Sequence, residues 1–216
     1  PDGGHQDPTY AAMIESVDHS MGAVQEKLED LGLVDNTIII FFSDNGGHRK
    51  WTTNYPLRGH KADFYEGGIR VPLIVKWPGV TAAGSVSDVP VISNDLYPTM
   101  LEMADLPLMP EQHIDGLSLG PLLKEEGELA RDALYWHFPH YASMCNVIRY
   151  HDWKLIESLK GDGQLELFDL KNDIGEEHNL ADENPGMVEK MQQMLARARE
   201  DMNVQMPEPN PAYNKK

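Results

Sequence analysis

An acid and an amide stand side by side in the segment Ser43-Asp44-Asn45-Gly46-Gly47. The side chains of Asp44 and Asn45 offer two hard oxygen ligands, which suit Ca²⁺ or Mg²⁺. The two glycines allow the backbone to turn sharply beneath them. Asp and Asn are also common in turns that follow strands, where they serve as caps. Spacing alone therefore leaves a metal site and a structural turn open, and a metal site would need further ligands from elsewhere.

Basic side chains are concentrated in the glycine-rich segment of residues 56–72, which contains Arg58, His60 and Lys61. A lysine ammonium is a compact point charge for an oxyanion, and an arginine guanidinium is a bidentate fork. Either group can neutralise charge that develops on a sulfate or a phosphate. The alternative is a solvated basic loop on a very acidic protein, and the segment taken alone favours that alternative.

Two histidines lie among aromatic residues in the segment 135–141. His137 and His140 are three positions apart, and together with the aromatic faces they suit a sugar-binding wall. A histidine pair at this spacing also suits a metal, and a packed strand end with histidines bonded to the backbone explains the same pattern. His48 is a further candidate for substrate binding, because it follows the Asp44-Asn45 loop directly.

The elements that must position these residues follow the rhythm of an α/β domain. After Asp7-Pro8, apolar residues recur at helical spacing over residues 10–31, which predicts a long amphipathic helix. Residues 37–42 are apolar without alternation, which predicts a strand buried on both faces, as in a parallel sheet. Residues 71–77 predict a second strand. Because ligands of open α/β sheets bind at the carboxyl ends of strands, Asp44 lies where a site is expected.

A polar stretch at residues 124–132 predicts a domain boundary. We therefore expect residues 1–125 to form the later part of a large domain, residues 126–206 a small α+β domain and residues 207–216 a flexible tail. The remaining predicted elements are a helix at 94–104, strands at 133–138, 146–150, 153–157 and 165–170, a hairpin turn at 161–163 and a closing helix from 184–185 onward.

The composition excludes several classes of partner. Acidic residues outnumber basic ones 35 to 18 in the 216-residue chain, for a formal charge of −17, which argues against nucleic acid as a partner. No apolar run approaches the roughly 20 residues of a membrane span, so we expect no membrane partner. The single cysteine, Cys145, excludes an internal disulfide framework. The chain begins with Pro1, so we expect that a preceding segment has been removed.

Several ordered motifs together resemble the formylglycine-dependent sulfatase family of the alkaline phosphatase superfamily. In chain order they are Ser43-Asp44-Asn45-Gly46, Leu57-Arg58-Gly59-His60-Lys61, Glu66-Gly67-Gly68-Ile69-Arg70-Val71-Pro72 and residues 115–123, 151–156, 167–173 and 177–181. The resemblance covers nearly the whole chain. It implies the later part of an alkaline-phosphatase-like α/β/α sandwich, followed by a small α+β domain with an antiparallel sheet and a C-terminal helix.

The resemblance also implies roles for particular residues. Asp44 and Asn45 match two Ca²⁺ ligands of the family, with Mg²⁺ as the alternative cation, and Lys61 matches the lysine that holds the sulfate oxygens. Arg58 and His60 either point into the same pocket or flank Lys61. Substrate-recognising residues of related sulfatases lie near the passage that contains His137 and His140, and the implied substrate is a sulfated small molecule or carbohydrate.

The sequence departs from the family pattern at the nucleophile. The family converts a cysteine or serine of Cys/Ser-x-Pro-x-Arg to formylglycine, and no segment of this chain fits that pattern. Cys145-Asn146-Val147-Ile148-Arg149 has valine at the proline position, so we interpret Cys145 as a small, half-buried apolar residue. We therefore expect the nucleophile in an upstream N-terminal half that is this chain's partner, and we expect the chain alone to be inactive.

Three further expectations accompany the resemblance. We expect an exported protein, periplasmic or extracellular. A phosphatase or phosphonate hydrolase of the same superfamily is an alternative that shares the metal loop. The other alternative is a calcium- or carbohydrate-binding protein without catalysis.

Overall fold

The computed structural model describes residues 7–141, 143–161 and 163–208. The helices are α1 (Pro8–Asp30), α2 (Glu66–Ile69), α3 (Leu96–Met103), α4 (Gly120–Leu123) and α5 (Pro185–Asp201). The strands are β1 (Ile39–Phe42), β2 (Leu73–Lys76), β3 (Ala133–Phe138), β4 (Cys145–Tyr150), β5 (Trp153–Ser158) and β6 (Leu165–Asp169). Within these described ranges no helix is long and apolar enough to cross a membrane.

The chain divides into two compact units that are each discontinuous in sequence. Of the described residues, the first contains 7–10, the segment Asp44–Val71 and those from Asp132 to residue 208. The second contains Ala11–Ser43 and Pro72–Arg131. The predicted domain boundary after residue 125 stays a prediction. Residues 209–216 of the predicted tail lie outside the described residues.

Helix α1 begins where the sequence predicts. The Asp7 carboxylate accepts a hydrogen bond of 2.8 Å from the backbone N–H of Tyr10, which is the N-cap contact expected of an acid before Pro8. The structure describes all 23 residues of α1, and none of them is buried. The apolar stripe is therefore open, with Met13 62% and Ile14 53% exposed.

Strands β1 and β2 form a two-stranded antiparallel sheet, in which Ile39 lies opposite Lys76 and Phe42 opposite Leu73. The prediction of a parallel arrangement is therefore wrong for this pair. The predicted burial is wrong as well, since three residues of β1 are half-buried and Phe42 is exposed. Within the described residues β2 is the only strand beside β1, and the burial pattern shows that the faces of β1 are incompletely covered. An apolar run indicates that a strand suits burial, but not which segment covers it.

The small sheet confirms the predicted antiparallel α+β arrangement. Its order is β3-β4-β5-β6, each strand antiparallel to the next, and α5 packs on one face. The backbone N–H of Ser158 donates to the carbonyl of Gln164 at 2.9 Å and closes the predicted hairpin, of which residue 162 lies outside the described residues. The buried core between the sheet and α5 is formed by Ala133, Ile148, Leu155, Leu167, Val188, Met191 and Leu195.

The opposite face of the small sheet carries the segment that contains Lys61. Phe64 and Tyr65 pack against a buried cluster that includes Val147, Ile156 and Phe168. Because alternate residues of a strand point to opposite faces, the sheet holds α5 on one side and this segment on the other. The small sheet is therefore the support for the basic loop.

Cys145 is buried and not half-buried as predicted, which suits a small apolar residue. Its side chain is 6% exposed and forms no disulfide, and burial raises the pKa of its thiol to about 11. The thiolate is the reactive form, so we expect iodoacetamide at pH 8 to label the folded chain about 100-fold more slowly than the chain unfolded in guanidinium. Mass spectrometry of timed samples measures both rates, with Cys145→Ser as the unlabelled control. Equal rates in the two states would contradict this account of Cys145.

Candidate active site

Asp44 and Asn45 directly follow β1 in the sequence, in a loop whose backbone is tightly constrained. Asp44 is exposed and Asn45 is half-buried, and the Asn45 amide nitrogen donates to the carbonyl of Gly46 at 3.1 Å. The backbone N–H of Gly46 donates to the carbonyl of Gly68 at 3.0 Å. A Cβ on Gly46 would run into the carbonyl oxygen of Gly67, so only glycine allows this close approach. The two candidate ligands therefore stand on a fixed backbone.

Lys61 is joined to the same loop through its backbone. Its N–H donates to the carbonyl of Gly47 at 3.0 Å, while its side chain is exposed. The lysine that the sequence selects as an oxyanion ligand is thus hydrogen-bonded to Gly47, which follows the candidate metal ligands by three residues (Asp44) and two residues (Asn45). The structure brings the three principal predicted residues to one place.

Asn54 connects the two loops and was not identified from the sequence. Its Oδ1 accepts from the N–H of Gly47 at 3.1 Å, and its Nδ2 donates to the carbonyl of Gly59 at 2.9 Å. One side chain therefore ties the turn after Asn45 to the turn before Lys61. A polar residue in a loop has no sequence pattern that marks such a contact, which only the folded backbone reveals.

The Glu66-Gly67-Gly68 segment forms the short helix α2, and its glycines allow backbones to touch. The N–H of Gly67 donates to the carbonyl of Arg58 at 2.7 Å. A Cβ on Gly67 would overlap the carbonyl of Gly59, and one on Gly68 would overlap that of Asp63. These close backbone contacts give the segment a structural role.

Arg58 and His60 are held differently from Lys61. The Arg58 guanidinium lies 3.8 Å from the centre of the Tyr65 ring, and its Nη1 donates to the carbonyl of Glu176 at 2.8 Å. The backbone N–H of His60 donates to the Asp63 carboxylate at 3.0 Å. Both residues line an open pocket of about 520 Å³. Their role in substrate binding stays a prediction, and the structure gives Arg58 a packing role in addition.

The histidine candidates lie apart from this arrangement of backbone contacts. His48 is exposed, and its Nδ1 accepts from the backbone N–H of Lys50 at 3.2 Å. His137 uses both ring nitrogens, with Nδ1 2.6 Å from Asn146 Oδ1 and Nε2 3.0 Å from the carbonyl of Gln205. His140 is exposed and packs edge-on against a neighbouring aromatic ring. The contacts of His137 favour a packed strand end, and substrate binding by the three histidines stays a prediction.

The donor set at Asp44 and Asn45 fits part of a divalent cation site. Carboxylate and amide oxygens are hard ligands of the kind that Ca²⁺ and Mg²⁺ prefer, and they stand on adjacent residues of a constrained loop. Across residues 7–141, 143–161 and 163–208, no group of three or more His, Cys, Asp or Glu side chains could hold a metal ion. The described part of the chain therefore offers only part of the coordination sphere of a divalent cation, namely Asp44 and Asn45.

Beneath the basic loop lies a buried ionic cluster of Lys154, Glu66 and Glu176. Nζ of Lys154 is 2.9 Å from Oε1 of Glu66 and 2.8 Å from Oε1 of Glu176. All three side chains are buried, and burial raises the pKa of the Glu176 carboxyl. Lys154 and Glu176 were not selected from the sequence, because a lysine in an alternating strand predicts an outward, solvated side chain.

Helices alternate with strands in the first part of the chain, and a separate antiparallel sheet packs under a closing helix, as in the alkaline-phosphatase-like fold of the solved sulfatase structures that the chain matches. The family model described as "Sulfatase" matches residues 2–106, and the one described as "N-sulphoglucosamine sulphohydrolase, C-terminal" matches residues 60–205. The chain belongs to the sulfatase family, of which it forms a C-terminal portion. The predicted family and fold class are confirmed, and the family implies a metal ion and a formylglycine.

Relatives and solved structures agree on this assignment. A "Sulfatase" of Formosa agariphila is 41% identical over 203 residues, which cover 84% of this chain and 36% of that protein. A structure solved in complex with its substrate, D-glucosamine-2-N,6-O-disulfate, matches with a TM-score of 0.75 at 31% identity, covering 88% of this chain and 40% of that one. Another, solved in complex with k-i-k-neocarrahexaose, matches with a TM-score of 0.74 at 33% identity, covering 90% and 44%. The chain spans well under half of the proteins it matches.

Proposed function

We propose that this chain is the later part of a sulfatase that hydrolyses sulfate esters, in which Asp44 and Asn45 contribute to a Ca²⁺ site and Lys61 binds the sulfate oxygens. The hydrogen bond from the Lys61 N–H to the carbonyl of Gly47 carries the proposal. It anchors the backbone of Lys61 to the loop that carries Asp44 and Asn45, and a sulfate ester needs both a cationic group and a metal ion.

Each of the chain's own groups has a defined task in this reaction. Lys61 is exposed and stands at the loop surface, so its ammonium can neutralise charge on the non-bridging oxygens. Asp44 and Asn45 would hold the cation, which supplies Lewis-acid stabilisation to the same oxygens when bound. Asn54 and the glycine contacts keep these donors in one geometry, which lowers the entropic cost of assembling them around the substrate.

The substrate class that we propose is a sulfated carbohydrate. The support is the similarity to a structure whose substrate is D-glucosamine-2-N,6-O-disulfate. The pocket that contains Arg58 and His60 is lined in addition by Asn54 and Tyr55 and is open to solvent. Polar donors around an aromatic ring suit the hydroxyl groups and apolar faces of a sugar ring, so this pocket is where we place the remainder of the substrate.

The partner that completes the site is, in this proposal, the upstream half of the same enzyme. It would supply the formylglycine, made from Cys or Ser, together with the other metal ligands. Two observations support this: no segment of the chain fits Cys/Ser-x-Pro-x-Arg, and the chain spans 36% of the Formosa agariphila relative. Export of the assembled enzyme to the periplasm or the outside remains part of the proposal.

The test is to assay the 216-residue chain and the same chain joined to its upstream sequence on matched sulfate, phosphate and phosphonate esters of one chromogenic alcohol. We expect the joined protein to release sulfate with saturation kinetics, and the chain alone to show no turnover above buffer. A preference for the phosphate or phosphonate ester would replace this proposal with the related hydrolase activity. Ca²⁺ binding with no turnover on any ester would indicate the non-catalytic alternative.

A further inference from the structure

The proposed sulfatase reaction assigns no role to the buried cluster of Lys154, Glu66 and Glu176. Lys154 lies on β5 with its side chain 0% exposed, and its two carboxylate partners are 2% and 0% exposed. Two arginines, Arg149 and Arg70, approach the second oxygen of Glu66 at 3.7 and 3.6 Å. Three cations therefore surround two carboxylates in the support of the basic loop.

Such a cluster is a poor way to gain stability. Desolvation costs several kcal/mol for each buried ion, and well-packed apolar residues of similar volume are often as stabilising or more so. The residues that share the face of Lys154 in the small sheet, such as Ile156 and Phe168, are apolar and buried. An apolar residue at position 154 would continue that pattern. The function of the cluster therefore lies in what its charged groups hold in place.

Glu176 fixes the basic loop at both ends. Its Oε2 accepts from the backbone N–H of Glu66 at 2.6 Å, and its own carbonyl accepts from Arg58 at 2.8 Å. Its φ of +53° lies in the left-handed region, which a residue with a side chain seldom occupies without support. Lys61 lies in the middle of the segment between these two anchor points.

The anchored residues also contact the metal loop. Gly67 donates to the carbonyl of Arg58, and Gly68 accepts from Gly46, the residue after Asn45. Glu66, the ion-pair partner of Lys154, is the residue before Gly67. Lys154 is therefore linked through Glu66 to the backbone hydrogen bonds that join the loop of Lys61 to the loop of Asp44 and Asn45. The connection consists of buried ion pairs and backbone hydrogen bonds. The strength of these interactions depends on the relative orientation of the two groups, so a shift of one group disturbs the next.

We propose that Lys154 is a positioning residue, whose buried ammonium aligns Glu66 and Glu176 so that the Arg58–Gly68 loop holds Lys61 over the Asp44-Asn45 pair. The inference rests on the role proposed for Lys61. Lys154 itself is enclosed and contacts no substrate. Its effect on the reaction passes through the loop geometry.

Amide hydrogen exchange tests the anchoring without any assay of activity. In the enzyme that includes its upstream half, Lys154→Met is expected to speed exchange of residues 58–68 about tenfold, while β4 and α5 keep their protection. Glu176→Gln applies the same test with a smaller change and retains an acceptor for the Glu66 N–H. Lys171→Met and Glu183→Gln are the matched controls, because both side chains are exposed. Unchanged exchange of residues 58–68, or a uniform loss of protection across the small domain, would overturn the proposal.

A double-mutant cycle tests the link to Lys61. Lys154→Met is expected to lower kcat about 10- to 100-fold in the otherwise unchanged enzyme, and to have less than a twofold effect in the Lys61→Ala background. Equal losses in both backgrounds would show that Lys154 acts on something other than Lys61 and would overturn the inference. If the unchanged enzyme hydrolyses no sulfate ester, the proposed function fails, and the exchange experiment alone decides whether Lys154 anchors the loop.

Discussion

Replacement of Lys61 by alanine in the enzyme with its upstream half is expected to lower kcat/KM for a sulfate ester about 100- to 1,000-fold. Removal of one preorganised group that stabilises developing negative charge typically has an effect of this size. The Lys61 backbone is held by Gly47 and the side chain is exposed, so truncation removes the ammonium without disturbing a packed core. Steady-state kinetics on a chromogenic sulfate ester, with circular dichroism to confirm folding, measure the effect.

The controls separate the ammonium at position 61 from charge in general. Lys171→Ala removes an exposed lysine at the end of β6 and should leave kcat/KM within twofold. Lys61→Arg keeps the charge but changes its shape from a point to a planar fork, so we expect partial activity that exceeds that of Lys61→Ala. A Lys61→Ala enzyme with near-full turnover would remove Lys61 from the site.

The small domain shows how much local pattern alone can establish. β3 occupies Ala133–Phe138, the bounds that the sequence predicts, and β4 to β6 differ from their predicted bounds by one residue at most. Consecutive antiparallel strands pair with their neighbours in the chain, so the turns and apolar positions that define them lie close together in the sequence. The closing helix α5 follows the same logic, since Asn184-Pro185 begins it and its apolar stripe faces the sheet.

Strand β1 shows where such reasoning fails. Its apolar run predicts burial on both faces beside parallel neighbours, whereas the described residues give it one antiparallel neighbour, β2. Parallel neighbours are joined by long crossovers, so a strand's local sequence carries no information about which segments lie beside it. The open stripe of α1 has the same explanation. An apolar composition indicates that a face suits burial. Which segment packs against that face depends on distant parts of the polypeptide.

In the candidate site, too, some residues could be predicted from the sequence and others could not. Asp44, Asn45 and Lys61 could be selected from the sequence because their residue types indicate their chemistry. The structure places them on two loops that are hydrogen-bonded to each other. Asn54 and Lys154 could not be selected from the sequence, because their roles depend on contacts with residues that are distant in the chain or on another loop. The partner of Lys154, Glu66, is 88 positions away in the sequence. Groups that react can be identified from composition and spacing, whereas groups that position them require coordinates.

Replacement of Asp44 by asparagine is expected to weaken Ca²⁺ binding by the assembled enzyme about 100-fold or more. The number of charged ligands sets the affinity of a calcium site, and even residues behind the ligands affect metal affinity by 10- to 100-fold. Asparagine preserves the shape of the side chain and one oxygen, so the loop held by Gly46 and Gly68 should remain intact. Isothermal titration of the metal-free enzyme with Ca²⁺ measures the affinity directly, without reliance on turnover.

The matched control is Asp88→Asn, which makes the same change of charge at an exposed position of the other compact unit and should leave the affinity unchanged. Thermal unfolding supplies a second readout. A ligand that binds only the folded state stabilises it in proportion to the logarithm of its concentration over Kd, so saturating Ca²⁺ should raise the Tm of the unchanged enzyme and of Asp88→Asn. The same addition should leave the Tm of Asp44→Asn nearly constant. Equal Ca²⁺ stabilisation of all three proteins would place the cation away from Asp44, and with it the sulfate that Lys61 is proposed to hold.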